Sequence, residues 1–418
     1  MIQQCSTLVP RPMPPTFALS AAPGSRTIHP RVHFRCDPAR AGIPASPVTM
    51  HAPLTPVPLR PAERGVLAVV LAGALLLRAL DALLWHPFTP DEEFTLALGR
   101  MHWGEMLRAT AADTHPPLYY ALVKLVFLLT PDEYAPARLL SVALAGATLW
   151  LIFRFARDGF SPAAGWVALL CASFAPYMIY WQHAARNHQL LPPAVLLIIG
   201  LSYRYASGGG RARWWALAAA WLVAIQTNYM ALVFGLVWGA AFILAEPMAP
   251  RRRARLAATP LPGLLSFVPW LGILGRQVQA GPMNKGFFQE TVSPIYLYFH
   301  ALFGRMEPYQ PNQTGPLFLL ALLAFALVAV LGARAVGHRW SFWVLLLGLP
   351  TMPIVAAKAA GWTLAERHLA FALPVFFVYW GAACVATVRQ LHARCRAPGV
   401  QQPTGEETAP CSADSKPK

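Results

Sequence analysis

The sequence predicts an all-α polytopic membrane protein with about ten transmembrane helices. Two observations carry this. Of 418 residues, 56% are hydrophobic and only 12% are charged, whereas soluble domains run near a quarter charged. Long apolar runs also recur from one end of the chain to the other, and about 20 such residues cross a ~30 Å hydrocarbon core. A transmembrane barrel would instead show alternating segments of about ten residues, and the chain has none.

The runs fall at about 66–86, 138–153, 162–181, 190–206, 214–228, 229–246, 259–276, 314–333, 340–357 and 367–388. Residues 1–60 are rich in Pro, Arg, Ala and Ser without apolar periodicity, so they read as a disordered cytoplasmic tail. They carry no secretory h-region, and Met50 is a rival start to Met1. The membrane domain is expected over 61–390, with a first exported loop at 86–137 and a polar, disordered cytoplasmic tail at 391–418.

Charge sets the orientation. The short run Leu118 to Leu129 has 12 residues and Lys124 in its middle. Counted as a span, it would turn Arg154, Arg157, Arg211, Arg213, Arg251, Arg252, Arg253 and Arg255 outward, against the positive-inside rule. Taken as a juxtamembrane or re-entrant helix, it lets 16 bases face the cytoplasm against three acids, Glu63, Asp158 and Glu246. The exported side then holds ten bases and ten acids, with both termini inside. The net charge of +16 therefore reports cytoplasmic loops and tails rather than nucleic-acid binding. None of the six cysteines lies in an exported loop, so no structural disulfide is expected.

Chemistry is sought where the membrane-proximal acids collect. Asp91-Glu92-Glu93 follows the first span, and His115-Pro116-Pro117-Leu118-Tyr119-Tyr120 follows soon after. Apolar positions from Phe94 to Met106 predict one amphipathic surface helix over Asp91 to Leu107. Its plain reading makes Asp91 and Glu92 capping residues that complement the helix dipole. Ionisable groups at membrane depth also mark substrate paths. Arg138, Arg186 and Arg367 each begin a helix at the outer surface. One alone would snorkel to headgroups. Together with Asp91 they point to a pocket for an anionic headgroup, because the planar guanidinium fork suits phosphate.

Other features have quieter readings. Arg78 and Asp81, one turn apart in the first span, read as a neutralised structural pair. Thr227-Asn228-Tyr229 breaks two apolar runs and reads as a turn. The exported loop 277–312 carries Lys285, Glu290, His300, Arg305 and Glu307, and its aromatic-rich stretch predicts an interfacial helix or lid. The chain has no phosphate-binding Gly loop, no Cys/His metal spacing and no Gly-x-Ser-x-Gly. A sugar donor would therefore be a lipid reached from the membrane, not a soluble nucleotide sugar.

In this order the pieces resemble the GT-C superfamily of polyprenyl-phosphate-sugar-dependent glycosyltransferases, in the branch of protein mannosyltransferases and lipid A aminoarabinose transferases. The pieces are Trp85 with Asp91-Glu92, then Asp113-Thr114-His115-Pro116-Pro117-Leu118-Tyr119-Tyr120, Arg138-Leu139-Leu140-Ser141, the Tyr180 to Leu191 region, Thr227-Asn228-Tyr229, and Arg367-His368. The resemblance covers about 60–390. Two departures stand out. Where relatives read Ser-Gln-Glu-Ala-Arg-x-Tyr, either Ala184 takes the glutamate's place or an inserted residue puts His183 there. Thr-Asn-Tyr stands where relatives often have Thr-His-Tyr.

The resemblance implies inverting transfer from an undecaprenyl- or dolichyl-phosphate sugar to a lipid, glycan or protein acceptor. The site would face the periplasm or exterior of a bacterial inner membrane. Asp91 would be the base or would orient the acceptor, with Glu92 beside it. Arg138, Arg186 and Arg367 would hold the lipid phosphate, with Arg138 and Arg367 ranked above Arg186. His115, His183, Asn228, Tyr229, Lys285 and His368 complete the expected substrate contacts. Glu92 and His115 are also candidates to hold a divalent cation, the only cofactor the resemblance leaves open. The rival readings are a polytopic transporter, which would show internal repeats and midplane charges, and a non-catalytic member that binds the lipid carrier.

Overall fold

The structure, a computed structural model, describes residues 58–85, 87–113, 115–130, 132, 134–279, 297–298, 301–302, 316–337, 339–360, 364 and 366–396. The tails, Lys285 and most of the 277–312 loop lie outside the described residues. Among the described residues the chain is helical with no strand, as a polytopic membrane protein requires when lipid offers the backbone no hydrogen bonds.

The first helix, α1 (Pro61–Leu80), continues through a π turn at Asp81–Trp85. Three short helices follow: α2 (Pro90–Arg100), α3 (Trp103–Ala112) and α4 (Leu118–Phe127). The expected single amphipathic helix is thus two. Lys124 Nζ, on α4, binds the carbonyls of Gly99 at 3.4 Å and Met101 at 2.5 Å. Met101 itself is extended, at φ −63° and ψ 155°. The His102 N–H then turns to the Glu105 carboxylate at 3.2 Å, which starts α3. A methyl group on Gly99 would strike the Phe127 ring of α4, so the α2–α4 crossing needs glycine there.

At 10 residues and 1.5 Å each, α4 reaches only about half of a ~30 Å core. It buries Tyr119, Tyr120 and Val123 instead. Its basic residue caps α2 and does not face lipid.

The remaining helices are α5 (Tyr134–Gly159), α6 (Pro162–Phe174), α7 (Pro176–Gln182), α8 (Leu191–Gly208), α9 (Arg211–Ile225), α10 (Met230–Trp238), α11 (Pro250–Ala257), α12 (Leu261–Gln279), α13 (Pro316–Val336), α14 (Trp340–Ala360) and α15 (Leu373–Arg396). Among the described residues, six segments are long and apolar enough to cross a membrane, and the α6–α7 pair, bent by 62°, makes a seventh if counted as one span. The other three expected spans are present as apolar helices, α9 with 15 residues.

The last span is the bundle's axis. Its apolar window is 89% buried within the protein, against 28% for the first. It packs closely on α6, where a methyl on Gly381 would overlap the Ala164 carbonyl. Small residues at such crossings are how membrane helices approach one another. The three acids expected among cytoplasmic bases are each paired. Glu63 binds Arg157 at 3.1 Å, Asp158 binds Arg154 and Arg204 at 3.1 Å each, and Glu246 binds Arg339 at 3.1 Å.

Candidate active site

The site is built on the first turn of α2. Thr89 caps that helix: the Glu92 N–H reaches Thr89 Oγ1 at 3.3 Å, and the Thr89 N–H reaches back to Glu92 Oε2 at 3.1 Å. This reciprocal box, with Pro90 at the first helical position, fixes the direction in which Asp91 and Glu92 project.

Glu92 points inward. Arg138, from the start of α5, grips it with a fork, Nε to Oε1 and Nη2 to Oε2, both at 2.9 Å. The Ala185 N–H adds a bond to Oε1 at 3.0 Å. Burial pushes the Glu92 carboxyl up, but the bonds from Arg138, Ala185 and Thr89 outweigh it and hold it below its ordinary value. The rest of the Arg138 guanidinium donates to the carbonyls of Ala82 and Pro87 and stacks 3.9 Å from the centre of the Phe88 ring. The two side chains are 1% and 2% exposed. The Arg138 guanidinium is therefore held within the protein by a carboxylate, two carbonyls and a ring. Glu92 is likewise a structural anchor, tying α1, α2, α5 and the turn after α7 together.

Asp91 points the other way and is 45% exposed. Its Oδ2 lies 3.3 Å from Arg367 Nη2 and 3.8 Å from Arg186 Nη2. Arg186 is further held by the Asp91 carbonyl at 2.7 Å. Arg367 comes from the 3₁₀ segment Glu366–Ala372 that leads into α15. Three residues far apart in sequence thus meet around the Asp91 carboxylate, with the Arg186 side chain 11% and the Arg367 side chain 32% exposed. Arg186 stands in this cluster, where Arg138 does not.

Histidines surround this cluster. His115, between α3 and α4, lies within electrostatic reach of Arg186, His368, His188 and Arg367. Burial first, and then these positive neighbours, push its imidazole well below the ordinary value, so it is neutral at pH 7. Its Nδ1 is buried without a protein partner. His188, which the motif comparison passed over, joins the same group from the 3₁₀ segment Asn187–Gln189. The signal was present, since it follows Arg186 by two residues.

The remaining expected contacts have structural partners. His183 Nδ1 lies 2.9 Å from Asp81 Oδ2 and 3.2 Å from the Ile179 carbonyl, and its side chain is buried. It joins the π turn after α1 to α7. Arg78 is not simply the partner of Asp81. It donates to Gln182 Oε1 at 2.9 Å and to the carbonyls of Ala74, Ser173 and Ala172. Two of those carbonyls end α6, where the bend into α7 frees them. Asn228 Oδ1 accepts from the Met230 N–H at 2.9 Å and starts α10. The Tyr229 hydroxyl donates to Gln277 and accepts from Trp270 at 2.8 Å. Their turn touches the site's walls, because Asn187 Nδ2 binds the Thr227 carbonyl and the Leu118 N–H binds the Gln226 carbonyl.

The donor set does not fit a divalent cation at Glu92 and His115. Both Glu92 oxygens are taken by Arg138, Thr89 and Ala185, and His115 sits among cations that would repel another. Among the described residues, no three His, Cys, Asp or Glu side chains gather in metal-binding geometry.

The chain is similar to known proteins in part of its sequence and in its fold. Residues 114–273 match the family model of dolichyl-phosphate-mannose-protein mannosyltransferases. The structure is similar to that of ArnT from Cupriavidus metallidurans in the apo state, with a TM-score of 0.55 at 17% identity over 79% of this chain. It is also similar to the same protein bound to undecaprenyl phosphate, with a TM-score of 0.53 at 18% identity over 79% of this chain. The chain spans 63% of the length of each. No curated protein matches the chain. The chain shares its fold with these ArnT structures.

Proposed function

We propose that this chain is an inverting glycosyltransferase that moves a sugar from a polyprenyl-phosphate carrier to an acceptor hydroxyl outside the cytoplasm. One observation carries the reading: a half-exposed Asp91 carboxylate with the guanidinium groups of Arg367 and Arg186 at 3.3 and 3.8 Å. Two arginines at a surface carboxylate contribute little to stability. They are, however, the groups that bind a phosphate and stabilise charge as it leaves. The neighbouring ArnT structure is described as bound to undecaprenyl phosphate, which supports a lipid phosphate in this place.

In this reading the donor phosphate takes Arg186 and Arg367 away from Asp91. The freed carboxylate accepts the proton of the acceptor hydroxyl. The acceptor oxygen bonds to the anomeric carbon from the face opposite the phosphate. The bond from that carbon to the phosphate oxygen breaks, and its electron pair leaves with the lipid phosphate. The Glu92–Arg138 pair keeps Asp91 at the rim throughout.

The test is sugar transfer by the protein in nanodiscs, with a panel of undecaprenyl- and dolichyl-phosphate sugars and with lipid, glycan and peptide acceptors. Asp91→Asn should fold normally and lose about 10²–10⁴-fold in turnover. Near-normal transfer by that variant would remove Asp91 as base. Carrier binding with no transfer from any donor would favour the non-catalytic reading.

A further inference from the structure

The 3₁₀ segment Asn187–Gln189 is a wall of the site, packed against the segment that carries Arg367 and His368. Its three side chains are all buried, His188 to 7% exposure. Two are fully committed to the protein. Asn187 Nδ2 donates to the Thr227 carbonyl at 3.3 Å, and Gln189 Nε2 donates to the Trp181 carbonyl. His188 differs. Its ring meets the edge of Trp181 at 6.2 Å between centroids, while Nε2 is buried with no hydrogen-bond partner.

A buried ring nitrogen left unmade is costly, and in native proteins such groups are few. The chemistry around this one names its partner. Arg186, Arg367 and His368 lie within electrostatic reach, and so does His115. A cation is excluded by its like-charged neighbours, and an apolar group would leave the nitrogen unsatisfied. An anionic oxygen satisfies Nε2–H and the arginines together.

We propose that His188 is a donor-site residue whose Nε2–H hydrogen-bonds a phosphate oxygen of the lipid-linked donor, beside Arg186 and Arg367. The proposal rests on reading the Asp91 cluster as a polyprenyl-phosphate-sugar site. Trp181 holds the ring and the helical turn fixes its direction, so the donor is already oriented when the phosphate arrives. Arg186 and Arg367 must release Asp91 first; His188 has nothing to release.

The experiment measures binding of undecaprenyl phosphate to the full chain in nanodiscs, with inorganic phosphate as a competitor. His188→Phe keeps an aromatic ring against Trp181 and removes the donor. His188→Gln returns an N–H near the position of Nε2. Thermal unfolding of each variant checks the fold. His188→Phe should weaken lipid-phosphate binding about 10- to 100-fold, the range for a lost hydrogen bond to a charged group, and His188→Gln should recover most of it. Competition by millimolar inorganic phosphate would assign recognition to the phosphate rather than the lipid tail, and no competition with intact lipid binding would overturn that assignment. Wild-type binding unchanged in His188→Phe overturns the inference and leaves the glycosyltransferase reading standing. Equal loss in Phe and Gln variants that remain folded also overturns it, because a donor was restored without effect. A wild type that binds no polyprenyl phosphate removes the underlying reading, and this inference with it.

Discussion

Replacing Arg138 should unfold the site before it affects the chemistry. The guanidinium makes two 2.9 Å bonds to Glu92 and further bonds to the Ala82 and Pro87 carbonyls, and both partners are sealed from solvent. Arg138→Ala leaves the Glu92 charge buried with only the Thr89 and Ala185 donors. Removing one partner of such a pair costs about 3–5 kcal/mol. Arg138→Lys keeps the charge but not the fork, and its three donors cannot make all four of these bonds. It too should lower stability, by less than the alanine variant. Replacing both members together, as Glu92→Leu with Arg138→Leu, should recover part of the loss, because an apolar pair leaves no unpaired charge. Thermal unfolding in nanodiscs, at one scan rate, reads all three. The reasoning is refuted if Arg138→Lys unfolds like the wild type while donor binding weakens, since Arg138 would then belong to the phosphate site.

The other arginines should behave in the opposite way. Arg186→Lys and Arg367→Lys should leave thermal unfolding nearly unchanged and raise the donor KM by about 10-fold or more; saturation and turnover unchanged in both would remove them from the donor site. His115 supplies a pH dependence. Its folded pKa lies below the unfolded value of about 6.5, so the folded chain binds fewer protons and stability rises with pH. The contribution is complete above about pH 6.5 and is lost as pH falls from there toward the folded pKa. His115→Asn should flatten that acid limb relative to wild type in thermal unfolding from pH 7 to 5, although His188 and His368 titrate beside it; an identical limb in both proteins would contradict the assignment. A cysteine replacing Asp132, just after α4, should react with an impermeant thiol reagent from the exported side, and labelling only from the cytoplasm would reverse the orientation of everything that follows.

Much of the fold was legible because burial in lipid and in protein both demand apolar helices, and apolar runs are visible in one dimension. The shortness of α4 and the presence of Lys124 within it were also readable. The break between α2 and α3 was not. Their apolar periodicity runs on without interruption, and what turns the chain is Lys124, reaching from another helix to the Gly99 and Met101 carbonyls. The site was half legible for the same reason. The residue types and their order indicate a pocket for an anionic headgroup with an acid beside it, but sequence treats Arg138 and Arg186 as equivalent outer-edge bases. Only packing reveals that Arg138 has a buried carboxylate within reach and Arg186 an exposed one. His183 was drawn toward the site by a motif position, whereas its partner, Asp81, was assigned to Arg78.

Asp91 and Glu92 show how one helix turn can hold both a structural and a chemical acid. They are adjacent residues of the same type, on the same cap, each facing arginine. The difference lies in what water can do. Glu92 is enclosed, so its charge has no alternative to Arg138, and separating them would strand two ions in a low-dielectric medium. Asp91 is open to solvent, so Arg186 and Arg367 can leave it at small cost when a more highly charged phosphate arrives. In the proposed mechanism the strong pair supplies the rigidity and the weak cluster the reactivity. Exchanging those roles by substitution is not possible, because a carboxylate locked as Glu92 is could not shed its arginine to accept a proton. For that reason the proposed mechanism uses Asp91, and not its better-bonded neighbour, as the base.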